Sequence, residues 1–453
     1  MQACSKITLG LVVLIAVTAA FVGAAVLFAP AAAASAAPGD LVWGAKTWTM
    51  PQQTGYEIKS QPVLVRGPGG DLWLAVTGMY VNRDRNFVLL RYSQGGTRRW
   101  TFETGSAPTG DYVNDVAVSS GKYAYLAGSI YDPATKNALW TVKVSPGGKR
   151  VWARRMNSQG TPGVASGAAC ALDSHGNVYV VGELQRTSTG ADVVLVKYSP
   201  AGKRRWVKYL SAGGAGEDVG VDIAIDAADR IFIAGTMQTL LRGKDVLVAR
   251  YATTGALKWK RIWDDGSASD DVCTDLAVSS AGVAVCGSST ASGKKSLGLV
   301  LTAKIAMGSS DSLGYHLSSV SPYHVRWESV GIDAAGDVVA GGQVTDDTLV
   351  RQFAYAKWPA SGPFEFVHDA PVDRWAGCQT ILLTPGGALF TAGWVRTPSS
   401  PQGIRLDSRA GGAHDWSTTT ADRGSATSIA VSADHVYVAG TIDETTALWK
   451  YER

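Results

Sequence analysis

An apolar, β-branched run ending in glycine returns eight times along this chain: Leu74 to Gly78, Tyr125 to Gly128, Val178 to Gly182, Ile231 to Gly235, Val283 to Gly287, Val338 to Gly342, Leu389 to Gly393 and Val436 to Gly440. The glycines are 50, 54, 53, 52, 55, 51 and 47 residues apart. A period of this size means that one supersecondary unit is repeated and that neighbouring units bury each other's faces. It also answers how 453 residues can fold as one body. A single hydrophobic core rarely grows past about 250 to 300 residues, and a repeat array escapes that limit. With 46% hydrophobic and 18% charged residues, the chain has the apolar material for it, and intrinsic disorder is excluded.

Two further landmarks keep the same period. A strand-like segment ends in a basic residue followed by an apolar or aromatic one: Arg91-Tyr92, Lys143-Val144, Lys197-Tyr198, Arg250-Tyr251, Lys304-Ile305, Lys357-Trp358, Arg405-Leu406 and Lys450-Tyr451. After it come a glycine, three residues and a tryptophan: Gly96 with Trp100, Gly148 with Trp152, Gly202 with Trp206, Gly255 with Trp259, and Gly412 with Trp416. Unit six has Gly362 with Phe366, and unit five, around Gly308 to Tyr315, has lost the pattern. Each unit reads as four short strands, the first leading through an Asp- or Gly-rich turn into the glycine-ended second. Four strands in about 52 residues is the arithmetic of a propeller blade. The eighth unit ends after its third strand, and Gly39 to Trp43 supplies the same Gly-to-Trp spacing with no strands before it. The expected fold is all-β, a single eight-bladed β-propeller over 38–453, closed by an N-terminal strand that completes the last blade and hides its sheet edge.

The Asp-rich turns, the Val178 to Gly182 strand and the run Val194 to Trp206 resemble the β-propeller repeats (SBBP type) of exported bacterial proteins, most clearly in units two to four. The recurring tryptophans are also similar to those of eight-bladed quinoprotein propellers. The resemblance implies architecture and export, and no catalytic motif to carry over. A quinoprotein would bring an adjacent-cysteine pair over its cofactor, and this chain has no Cys-Cys, so pyrroloquinoline quinone (PQQ) is not expected.

Residues 1–37 carry Lys6, an apolar stretch from Ile7 to Phe28 and a small-residue end at Ala34 to Pro38. These are the parts of a secretory signal, although an apolar stretch of about 22 residues would also span a bilayer. The expectation is a signal peptide or an N-terminal membrane anchor, with the rest extracellular or at the cell surface and monomeric. A net charge of +4 on this length gives no case for nucleic acid. Beyond Cys4 there are Cys170, Cys273, Cys286 and Cys378, too few for a disulfide-built scaffold. Cys273 and Cys286 flank the Ser279 to Gly282 turn, where a cross-strand disulfide and two separate thiols are both open readings.

The serial tryptophans Trp43, Trp100, Trp152, Trp206, Trp259 and Trp416 are expected between blades. The third-strand Lys and Arg are expected to lay their stems on a neighbour with the charge reaching outward. Acidic pairs recur where blades begin: Asp111 and Asp115, Asp218 and Asp222, Asp271 and Asp275. They suit turn and backbone capping, with Ca²⁺ the one cation such carboxylates would favour. Basic pairs before the Trp strands, such as Arg98-Arg99 and Lys203-Arg204-Arg205, read as solubilising surface or as a contact for anionic polymer.

Packing symmetry does not ask for Trp327, Trp375 and Trp394. With His324, Arg326, Glu328, Asp373 and Arg374 beside them in sequence, they form the candidate ligand-binding group. No Gly-x-Ser-x-Gly elbow or repeated His partner points to a catalytic constellation. The expected function is a non-catalytic binding or scaffold module for a cell-envelope glycan, peptide or protein. The alternatives are a loop-built hydrolase or lyase on a polysaccharide or peptide-like substrate, and a membrane-tethered assembly factor.

Overall fold

A computed structural model describes residues 37, 40–43, 46, 57–58 and 61–453, apart from the intervals 80–84, 105–109, 160–162, 214–215, 240–242, 267–268, 292–294, 308–311, 319–323, 347–349, 362, 369–374, 398–399, 411–412, 421–423 and 443–444. All lie in the unit Ala37–Arg453. The expected signal or anchor, Asp373 and Arg374 therefore fall outside the described residues. Within them the regular structure is entirely β, with no helix.

The strands form antiparallel sheets of four, paired in chain order. In unit three they are Ala165–Leu172, Val178–Arg186, Gly190–Tyr198 and Arg204–Leu210. Units four and five share one sheet through a single parallel contact, Lys244 with Asp270. Unit one carries an extra strand, Glu57–Ile58, on Leu72–Met79. Strand Leu41–Trp43 pairs with Thr445–Glu452, so the eighth sheet does take its fourth strand from the start of the chain. The first strands, from Val63–Arg66 through Tyr112–Val118 to Gly424–Val431, touch one another in succession, and Gly424–Val431 also touches Val63–Arg66.

The repeating glycine has a steric cause. In units two to eight the first strand slips register by one residue, at Val113/Asp115, Gly167/Ala169, Gly220/Asp222, Cys273/Asp275, Trp327/Ser329, Cys378/Thr380 and Ala426/Ser428. Each bulge presses a carbonyl onto the landmark glycine of the second strand. A Cβ on Gly287 would lie 1.8 Å from the Val272 oxygen, and one on Gly182 2.0 Å from the Ser166 oxygen. No side chain fits there, which is why a glycine sits within the second strand of units two to eight, each strand running on past it.

Between successive sheets lie eight buried apolar clusters, one per seam among the described residues. In the seams that follow units one to four, the serial tryptophan closes the outer end. Its Nε1 donates to a turn carbonyl of the next unit: Trp100 to Pro146 at 2.9 Å, Trp152 to Pro200 at 3.0 Å, Trp206 to Thr253 at 3.1 Å and Trp259 to Ile305 at 3.4 Å. The same carbonyl takes the third-strand cation. Arg91 donates to Pro146 at 2.6 Å, Lys143 to Pro200 at 2.9 Å, Lys197 to Thr253 at 3.1 Å and Arg250 to Ile305 at 3.1 Å. This corrects the outward-reaching charge expected from sequence. Arg91, Lys143 and Lys197 are buried, because an orphan carbonyl inside the seam needs a donor and the cation reaches it.

Candidate functional site

The bulges determine what faces inward beside the first strands. Each inserts one extra residue, and those of units four to seven, Val221, Thr274, Glu328 and Gln379, line a cavity of about 620 Å³ with Gln61, Arg326, Gln343, Arg351 and Trp394. Arg326 Nε lies 2.9 Å from Glu328 Oε1. Burial pushes the Glu328 carboxyl above the usual carboxylate range, and the Arg326 and Arg351 guanidiniums pull it part of the way back. Two fixed cations, one reluctant carboxylate, three amides and a partly exposed indole make a site for an oxygen-rich or anionic ligand.

The structure thus brings together Arg326, Glu328 and Trp394 from the candidate group and sets Trp327 and His324 elsewhere. Trp327 is wholly buried in the seam between units five and six, edge-on to Trp358 at 6.2 Å and tilted on Phe366 at 6.0 Å. It cannot present a platform to a ligand, because strand alternation turns it away from the cavity that Arg326 and Glu328 line. His324 sits at the far end of its strand, where Nδ1 accepts the Ser296 N–H at 3.1 Å. Trp375 opens the strand Trp375–Leu383, and its side chain lies outside the described residues, as does Asp373.

Cys273 and Cys286 are free thiols, so no disulfide joins them. The bulge is the reason. It sets Cys273 opposite Gly287 and Cys286 opposite Asp275, sending one thiol into the seam with unit four and the other into the seam with unit six.

The acidic pairs divide into two roles. The second members are partly buried staples between first strands: Asp115 accepts the Cys170 N–H at 2.7 Å, Asp222 the Leu276 N–H at 3.2 Å, and Asp275 the Val330 N–H at 2.8 Å and the Ser329 hydroxyl at 2.9 Å. Burial raises all three carboxyls, and Asp222 is raised furthest, by burial first and then by the neighbouring Asp275 and Asp115 charges. The first members hold the next connection, as Asp111 does by accepting the Tyr131 N–H at 2.8 Å and Asp218 the Gln238 N–H at 2.8 Å. No ring of carboxylates forms among the described residues. Oxygens of Asp245, Asp264 and Asp271 instead gather within 4.8 Å of one another at the seam of units four and five, a donor set that could hold a hard cation.

Sequence reasoning missed a second cavity, of about 1080 Å³, at the outer end of the seam between units five and six. Its walls include Tyr315, His316, Trp358, Phe364 and Phe366. The corresponding seam between units six and seven leaves about 20 Å³. The signal was in the sequence: unit five is the one that lost its tryptophan pattern.

No family model and no curated protein matches this chain. Among solved structures it is similar to a protein of unknown function from Dyadobacter fermentans (11% identity, 91% of this chain and 99% of that one, TM-score 0.44). It is likewise similar to a polysaccharide lyase of family PL25, an ulvan lyase (10% identity, 88% and 96%, TM-score 0.45), and to a quinohemoprotein alcohol dehydrogenase from Pseudomonas putida (11% identity, 88% and 75%, TM-score 0.48). The lyase and the dehydrogenase are propeller-type proteins, and at this identity the likeness carries nothing about activity or ligand.

Proposed function

We propose that the chain is an exported, closed eight-bladed β-propeller that serves as a binding or scaffold module at the cell surface, receiving a cell-envelope glycan, peptide or protein at the axial cavity. Residues 1–37 act as its export signal or membrane tether, and the propeller works as a monomer. Support for closure comes from the succession of first strands back to Val63–Arg66 and from Leu41–Trp43 on the eighth sheet. The observation that carries the binding role is the convergence of Arg326, Arg351, Glu328 and Trp394 on one solvent-filled space.

Trp394 reports on that space. Titrating the mature protein with neutral oligosaccharides, uronate-bearing oligosaccharides and peptides should give a saturable change of tryptophan fluorescence for one class. The change disappears in Trp394→Phe, and affinity falls about tenfold or more in Arg326→Ala, the worth of one charge-assisted hydrogen bond. No response from any class would leave a scaffold role in place of a binding one.

The raised Glu328 carboxyl beside two guanidiniums favours one second reading, a loop-built lyase or hydrolase that uses Glu328 as acid or base. Turnover lost in Glu328→Gln, with binding retained, would establish it.

A further inference from the structure

Four seams of this molecule show what the outer end of a seam accepts: an indole with its N–H on a turn carbonyl of the next unit, laid in the first three of them on that unit's turn glycine. A Cβ on Gly202 would fall 2.8 Å from the Trp152 ring, so ring and turn are in direct contact. In the fifth seam the indole is missing. Counting four residues from Gly308, as from Gly148 to Trp152, reaches Ser312. The strand register agrees. Thr302 pairs with Gly314, and carrying that pairing on sets Ser312 opposite Lys304, just as Trp152 pairs with Lys143 and Trp206 with Lys197. Ser312 is exposed, and the cavity of about 1080 Å³ opens beside it.

The far wall of that cavity keeps the features of an indole seat. Ala360, three residues after Lys357, stands where Pro146 stands after Lys143 and Pro200 after Lys197, and it lines the space. Aromatic rings surround it at stacking separations: Trp358 with Phe364 at 5.3 Å, and His316 with Trp358 at 5.6 Å. Phe364 is 51% exposed, a large apolar ring to leave in water without a ligand to cover it, while Tyr315 turns the other way onto Trp263 of unit four at 5.7 Å. The volume, about 1080 Å³, lies just above the roughly 300–1,000 Å³ typical of small-molecule sites, room for an indole and what carries it.

We propose that the seam between units five and six is a second binding site, for a planar aromatic ring that carries an N–H donor, with indole as the type, taken up where unit five lacks a tryptophan of its own. The ring packs between His316, Phe364 and Trp358 and donates to the Ala360 carbonyl, repeating the contact of the four internal tryptophans. The same chemistry arrives either as a free aromatic molecule or as the tryptophan side chain of a peptide.

Indole and N-acetyl-tryptophanamide, titrated into the mature protein by calorimetry, test the site. Saturable one-to-one binding is expected. It is lost in Ser312→Trp, whose own ring fills the seat, and that variant melts at a higher temperature. His316→Ala and Phe364→Ala change exposed positions on the cavity wall, and each should weaken binding about fivefold or more, so the site is still tested if Ser312→Trp fails to fold. Binding of both probes identifies a tryptophan side chain as a competent source, and binding of indole alone identifies the free molecule. The proposal is overturned if neither probe binds, if Ser312→Trp binds them as well as the native chain, or if neutral oligosaccharides saturate the cavity instead. Arg326→Ala leaves indole binding unchanged, which separates this site from the axial one.

Discussion

The seam after unit two and the seam after unit five are built on the same plan and end differently. At their inner ends both are stapled in the same way, by Asp115 on the Cys170 N–H in one and Asp275 on the Val330 N–H in the other. At the outer end Trp152 is 8% exposed and bonded to Pro200, whereas the fifth seam has Ser312 and a cavity. Eight repeats therefore hold the molecule with redundancy, and one outer end can be given up without opening the seam. A repeat protein acquires a site by omission here: the space exists because a packing residue was dropped, and its shape was already set by the neighbours that kept theirs.

If that contrast is right, removing the tryptophan from an intact seam should cost far more than its absence costs the fifth. Trp152→Ala leaves a void under Tyr125 and Tyr198, whose rings lie 5.9 and 6.1 Å from the indole, and strips a donor from the Pro200 carbonyl. A loss of about 3–5 kcal/mol is expected, read as a lower denaturant midpoint. An effect below about 1 kcal/mol would mean that the outer ends do not carry the seams, and the contrast would collapse. The reverse change is smaller. Ser312→Trp should add about 0.5–2 kcal/mol by filling the existing space, the usual yield of a cavity-filling substitution. A destabilised variant would show that the fifth seam has repacked around its gap.

Much of this was legible from the chain, for reasons the structure makes physical. The glycine landmark was readable because a bulge forbids any Cβ at Gly182 or Gly287, and the Gly-to-Trp spacing because ring and turn of adjacent units touch. What escaped depends on register. One inserted residue at Cys273/Asp275 separates two cysteines that look paired in the linear pattern. Alternation along His324–Ile332 turns Arg326 and Glu328 toward the smaller cavity while Trp327 goes into the core, so neighbours in sequence part company. A bulge is one inserted residue in the first strand, which strand periodicity does not record. The larger cavity was visible as a missing letter, yet a lost motif reads as divergence until the filled seams show what the letter does.

The inner ends, which the two seams share, are probed by pH. Asp222 lies between the staples of units four and five, its carboxyl raised by burial and by Asp275, so the native state keeps its proton while the unfolded chain releases it in the ordinary range near pH 4. The stability that this proton contributes is fully present below that range and is lost as pH rises through the elevated native value, because over that window the native state binds more protons than the unfolded one. Asp222→Asn keeps an oxygen for the Leu276 N–H and offers Asp275 a permanent donor. The variant should therefore lose part of the native protein's decline in melting temperature between about pH 4 and pH 8, and gain on the order of 1 kcal/mol at the upper end. Asp275, also raised, leaves a residual slope. Parallel curves for the two proteins would place the proton elsewhere. An equally large change in indole affinity would show that the inner staples and the open outer end of the fifth seam are coupled, which the contrast between them denies.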